Sequence, residues 1–130
     1  MLEVYIDGST TGNPGPSGIG VFIKGEGHHI KISEYIGIYS NHTTEFLALL
    51  RGLEEVQKLT SSIISVRTDS QIVCAAVEKK YAKNAEFAAI LEKILKISDT
   101  FDFFFIKWIP DEQNKAAHAL AREAVLKKLP

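Results

Sequence analysis

Apolar residues follow two rhythms along the chain. Leu2 to Asp7 (LEVYID) is rich in strand formers, and Ser17 to Lys24 (SGIGVFIK) reads as a second strand after a turn crowded with Gly12, Asn13, Pro14, Gly15 and Pro16. His29 to Ile38 alternates well enough to form a third. From Ser40 the period lengthens: Phe46, Leu49, Leu50, Leu53 and Val56 recur at three and four residues, which predicts an amphipathic helix ending near Leu59. Ser62 to Thr68 (SIISVRT) is again a short β-branched strand. It is followed by two helical stripes, the first from Ile72, Val73, Ala76 and Val77, the second from Phe87, Ile90, Leu91, Ile94 and Leu95. Asp102 to Ile109 (DFFFIKWI) reads as a dense apolar strand with Trp108 in the core. After Pro110 a last helix aligns Ala117, Leu120, Ala121, Ala124 and Val125.

The order βββ, α, β, α(α), β, α predicts an α/β fold. Three closely spaced strands favour an antiparallel meander, and strands separated by helices favour right-handed crossovers onto a parallel part of the same sheet. The expected architecture is a mixed five-stranded sheet flanked by helices. Ligand sites in such sheets form at the carboxyl ends of strands where crossovers diverge. Asp7 ends the first predicted strand, Asp69 follows the fourth, and Glu45 falls in the first turn of the first helix, near the edge of its apolar stripe.

Composition narrows the reading. With 130 residues, 45% of them hydrophobic, the chain suits one domain over residues 1–130. Fifteen basic residues against 16 acidic ones leave a formal net charge of -1, which excludes a polycation coating nucleic acid and leaves only a local nucleic-acid site. Cys74 is the one cysteine, so no internal disulfide or paired-cysteine zinc site forms; a small packed side chain is its simplest role. No apolar run approaches the roughly 18 residues of a membrane span, and nothing marks an obligate protein partner. A cytoplasmic location, away from membranes, is expected. His28 and His29 lack accompanying carboxylates and read as a hairpin end, while Lys79, Lys80 and Lys83 form a small basic cluster at a helix end.

A lone aspartate after a strand is commonly a cap or a turn former. Three carboxylates converging at one sheet end are different, because their mutual repulsion is relieved by a divalent cation, and hard oxygen ligands suit Mg2+ or Mn2+. Two such ions can activate water and stabilise the leaving oxygen of a phosphodiester.

Four segments, YIDGSTTGNPGPSGIG, NHTTEFLALLRGLE, RTDSQIV and WIPDEQNKAAHALA, resemble type 1 ribonuclease H, and the resemblance runs from Tyr5 to Ala124. The short segment between Val77 and Phe101 is similar to the smaller bacterial and archaeal branch, which lacks a basic protrusion. The resemblance implies the ribonuclease H-like fold. It also implies two-metal hydrolysis of the RNA strand of RNA/DNA hybrids, leaving a 3′-hydroxyl and a 5′-phosphate, with Asp7, Glu45 and Asp69 as the first three metal-binding carboxylates. It further implies that Asn13 and Ser40 hold a DNA-strand phosphate, that Asn41 reaches the minor groove, and that Ser70 and Gln71 contact the RNA strand. The family's fourth carboxylate falls on His118 in this sequence, and His42 stands where an asparagine is usual beside Asn41. Two readings follow. Either His118 completes the metal site as an imidazole ligand, with Mn2+ preferred over Mg2+, or the domain binds nucleic acid with weak or no catalysis.

Overall fold

The computed structural model describes residues 1–128; Leu129 and Pro130, the last two positions of the expected 1–130 domain, lie outside the described residues. The elements run β1 (Leu2–Thr10), β2 (Gly15–Gly25), β3 (His28–Tyr39), α1 (Asn41–Val56), β4 (Ile63–Thr68), α2 (Gln71–Lys79), α3 (Ala85–Ser98), β5 (Phe103–Trp108) and α4 (Lys115–Leu126). A single 3-10 turn, Asp111–Gln113, precedes α4. The sheet order is β3-β2-β1-β4-β5. β1, β2 and β3 pair antiparallel, whereas β4 joins β1 and β5 joins β4 in parallel. The mixed five-stranded α/β sheet expected from the order of elements is therefore present.

Three features place the site. First, β1 continues past Asp7 to Thr10, whereas its parallel ladder with β4 stops at the Ile6–Thr68 pair. Asp7 is thus not the end of its strand, as expected, but the first residue beyond the point where β1 and β4 part. The pairing of Gly8, Ser9 and Thr10 with β2 is what carries the strand onward. Second, α1 comes down close on β1: a Cβ at Gly8 would stand 2.8 Å from Thr44 Cγ2. Third, α4 comes down close on β2. A Cβ at Gly20, the residue paired with Asp7, would lie 2.1 Å from the Ala117 carbonyl oxygen. Asp7 is held between two helices whose approach depends on the absence of two side chains.

The core lies between the sheet and α1 to α3, with Leu2, Val4, Ile6, Val21, Phe46, Leu49, Leu53, Ile64, Val66 and Ile94 wholly or almost wholly buried. Two expectations of burial fail. Trp108 is 42% exposed, not core, and its Nε1 donates to the Asp69 carbonyl at 3.1 Å. Ile72, placed by its periodicity on the buried face of α2, is 40% exposed. β5 is an edge strand, and α4 packs over β1, β2 and β3 rather than over β4 and β5, so Phe103 and Phe105 are exposed as well. Cys74 is buried as expected, and His28 and His29 follow the β2–β3 turn.

Candidate active site

The three carboxylates expected at the site are held at one end of the sheet. Asp7 is 7% exposed, and its carboxyl is pushed up to about 7, first by burial and next by the negative charge of Asp69. Hydrogen bonds from His118 and the Gly8 backbone pull the other way. Glu45 is also raised, mainly by burial, with Asp69 adding to the shift. Opposing that rise are bonds to His42 and Ser70. Asp69 is therefore a negative charge felt by both neighbours.

Each carboxylate also has a private partner. His118 Nδ1 lies 2.9 Å from Asp7 Oδ2, although the histidine side chain is 58% exposed. His42 Nδ1 lies 2.9 Å from Glu45 Oε1, one turn along α1. Asn114 Nδ2 donates to Asp69 Oδ2 at 3.3 Å and to the Ile6 carbonyl at 2.8 Å. Asn114 is 1% exposed, and its Oδ1 meets no donor. Sequence reasoning missed His42 and Asn114 as partners of the acids. The i, i+3 spacing of His42 and Glu45 on a helix was the available signal for the first; for Asn114, which links β1 to the Asp69 loop, there was none in the local pattern.

Among the described residues, no group of three or more His, Cys, Asp and Glu side chains is gathered closely enough to hold a metal ion as it stands. The donor chemistry nevertheless fits one. Two half-buried or buried acids share the field of a third, all with hard oxygen atoms, and a divalent cation would neutralise the negative charge that burial and repulsion disfavour at Asp7. The imidazole on Asp7 Oδ2 occupies one of those oxygens.

The candidate substrate residues lie in the β1–β2 loop and at the starts of α1 and α2. Asn41 N–H donates to Asn13 Oδ1 at 3.0 Å, so those two are brought together, both exposed. Ser40 caps α1, its Oγ accepting from the Thr43 N–H at 3.3 Å. Ser70 caps α2 in the same way, accepting from the Val73 N–H at 3.2 Å, and is buried. Gln71 opens α2 and is exposed. Ser40 and Ser70 thus have structural work whatever they contact, as Ser residues at helix starts commonly do.

A family model described as reverse transcriptase-like matches residues 5–124. Over its full length the chain aligns with LC11-RNase H1, solved in complex with an RNA/DNA hybrid: TM-score 0.92, 34% sequence identity, 100% of both chains covered. The chain belongs to the type 1 ribonuclease H family. A ribonuclease H of Desulforamulus reducens is 38% identical over 63% of this chain, a match spanning 50% of that protein. A protein of Enterococcus faecalis called putative hydrolase EbsB is 36% identical over 100% of this chain and 98% of its own length. For a type 1 ribonuclease H, the feature to explain is the His118–Asp7 pair at the position where the family pattern has its fourth acid.

Proposed function

We propose that the protein is a metal-dependent endonuclease that hydrolyses the RNA strand of RNA/DNA hybrids. The observation that carries the reading is the gathering of Asp7, Glu45 and Asp69 at the sheet end of a chain that aligns throughout with a ribonuclease H1 solved on such a hybrid. In this reading the three carboxylates hold Mg2+ or Mn2+, whose chemistry when bound is activation of water and stabilisation of the leaving oxygen. Asp7, the most buried of the three, fixes the centre of the site. Asn114 holds the Asp69 carboxylate against β1, and His42 does the same for Glu45 along α1. Asn13, Ser40 and Asn41 are the proposed contacts to the DNA strand, Ser70 and Gln71 those to the RNA strand, where the 2′-hydroxyl distinguishes the substrate.

A second reading, binding with weak catalysis, is favoured by one observation: His118 already bonds the Asp7 oxygen that a cation would use. On this account, replacing the imidazole by a hard anionic oxygen should help Mg2+ more than Mn2+. His118→Asp should raise Mg2+-supported hybrid cleavage by about tenfold, and Asp7→Asn should abolish cleavage with either ion. Initial rates on a labelled hybrid, with each ion separately, decide the matter. If the parent already cleaves well with Mg2+ and His118→Asp changes nothing, His118 is a bystander and three carboxylates suffice. If neither ion supports cleavage by the parent or by His118→Asp, the endonuclease reading is wrong.

A further inference from the structure

On the sheet face that carries Asp7, a small pocket of about 160 Å3 is lined by Tyr5, Arg67, Lys107, Ile109 and Gln113. The strand register explains the grouping. Tyr5 is the partner of Arg67 and Arg67 the partner of Lys107, so alternation points all three side chains to one side of the sheet. Helix α4 packs over β1, β2 and β3 on that side and leaves β4 and β5 uncovered. The guanidinium is held in place: Arg67 Nε donates to Ser65 Oγ at 3.1 Å, and its Nη1 donates to Tyr5 Oη at 3.0 Å and to Glu3. Its Nη2 makes no hydrogen bond within the described residues. Lys107 is exposed and makes no ion pair within the described residues.

Glu3 balances part of this charge from behind Arg67, but the pocket lining itself holds no acid, and Lys24 adds a further cation with its Nζ 5.6 Å from the Tyr5 ring centroid. A fixed guanidinium edge beside an unpaired ammonium suits an oxyanion, held by directed N–H groups from the first and by a point charge from the second. Size narrows the choice. The volume falls below the roughly 300 Å3 at which sites take drug-sized ligands, so the pocket suits one phosphate group and not a whole nucleotide. Position supplies the source of that phosphate. Tyr5 and Arg67 precede Asp7 and Asp69 by two residues each, about 7 Å along a strand, and Gln113 precedes Asn114, which bonds Asp69. We propose that Arg67, Lys107 and Gln113 form a phosphate-binding pocket separate from the carboxylate site, filled by a phosphate of the bound strand or by free phosphate. The strand source rests on the hybrid reading given above; the pocket itself does not.

Two measurements use the full chain carrying Asp7→Asn, which leaves substrate intact and removes one carboxylate that would repel an anion. In the first, inorganic phosphate is titrated at constant ionic strength and the backbone amide resonances are followed by NMR. Those of Arg67, Lys107 and Gln113 should shift together and saturate, and Lys107→Gln should weaken the binding by about tenfold. Arg67→Gln would also break the Glu3 pair, so the exposed Lys107 is the deciding position. In the second, the RNA phosphates of a hybrid are replaced one at a time by neutral methylphosphonates, and affinity is read by fluorescence anisotropy. For a strand occupant, one replacement should weaken binding by about tenfold, that effect should be lost in Lys107→Gln, and Lys107→Gln should lower the salt slope by about 1. Phosphate binding with no such position identifies free phosphate as the occupant. If neither phosphate binding nor any methylphosphonate effect depends on Lys107, or if acetate at equal concentration shifts the same resonances as strongly as phosphate, the proposal is overturned. If the hybrid does not bind at all while phosphate does, the hybrid reading fails and the pocket stands.

Discussion

Asp7 carries the largest electrostatic cost in the site. Its carboxyl is raised from 3.8 to about 7 by burial and by Asp69, so the folded chain holds this proton more tightly than the unfolded chain does. The sign follows: the contribution favours folding at pH values below about 4 and is lost as pH rises through about 7, where the folded state must accept a buried, repelled charge. Asparagine has the same shape and no charge. In EDTA, Asp7→Asn should therefore match the parent near about pH 4 and exceed it by about 2 kcal/mol near about pH 8.5, after discounting the coupled pair. Urea unfolding at both pH values checks this, and an equal difference at each would show that Asp7 bears no such cost. At this scale the sequence was informative about acids and silent about their partners. Asp7, Glu45 and Asp69 stood out because ordered motifs place them after strands or at a helix start. Asn114 did not, since its two bonds reach residues 108 and 45 positions away in the chain.

Helix α4 brings His118 to Asp7, and it can do so only because β2 presents no side chain beneath it. At Gly20 a methyl group would meet the Ala117 carbonyl at 2.1 Å and the Ala121 nitrogen at 2.6 Å, both backbone atoms that cannot rotate away. Gly20→Ala should therefore cost about 2 kcal/mol in a denaturant melt, as overpacking of a close contact does. It should also push α4 outward and lengthen the His118–Asp7 contact, read as a shift of the His118 ring resonances. A variant that melts with the parent would mean that α4 is not pinned at this point. Periodicity predicted every helix and strand, because strand and helix repeats of two and 3.6 residues are local properties. Coverage is not local. The run from Phe103 to Trp108 has the apolar density of a central strand, yet it forms the sheet edge beyond the reach of α4, leaving Phe103, Phe105 and Trp108 exposed. Likewise β1 overruns Asp7 since its continuation is set by pairing with β2, not by its own residues.

Across the whole molecule, five of the 15 lysine and arginine side chains are held in ion pairs. Arg51 is paired with Glu34 and Glu55, Arg67 with Glu3, Lys58 with Glu55, Lys96 with Glu92, Lys127 with Glu123, and the N-terminus with Glu26. Lys79, Lys80 and Lys83 are among the lysines that make no ion pair within the described residues, and they follow one another at and just beyond the end of α2. With a net charge of -1, little long-range attraction to a polyanion remains. Hybrid affinity should then depend on a few phosphates. Each phosphate neutralised by the protein releases condensed counterions and adds about 0.9 to the slope of log affinity against log salt, taking B-DNA as the reference duplex. The expected magnitude is about 2 to 4, measured with a blunt hybrid and Asp7→Asn protein at constant divalent ion concentration. A slope near about 8 would require an extended basic surface that draws on lysines well beyond this cluster.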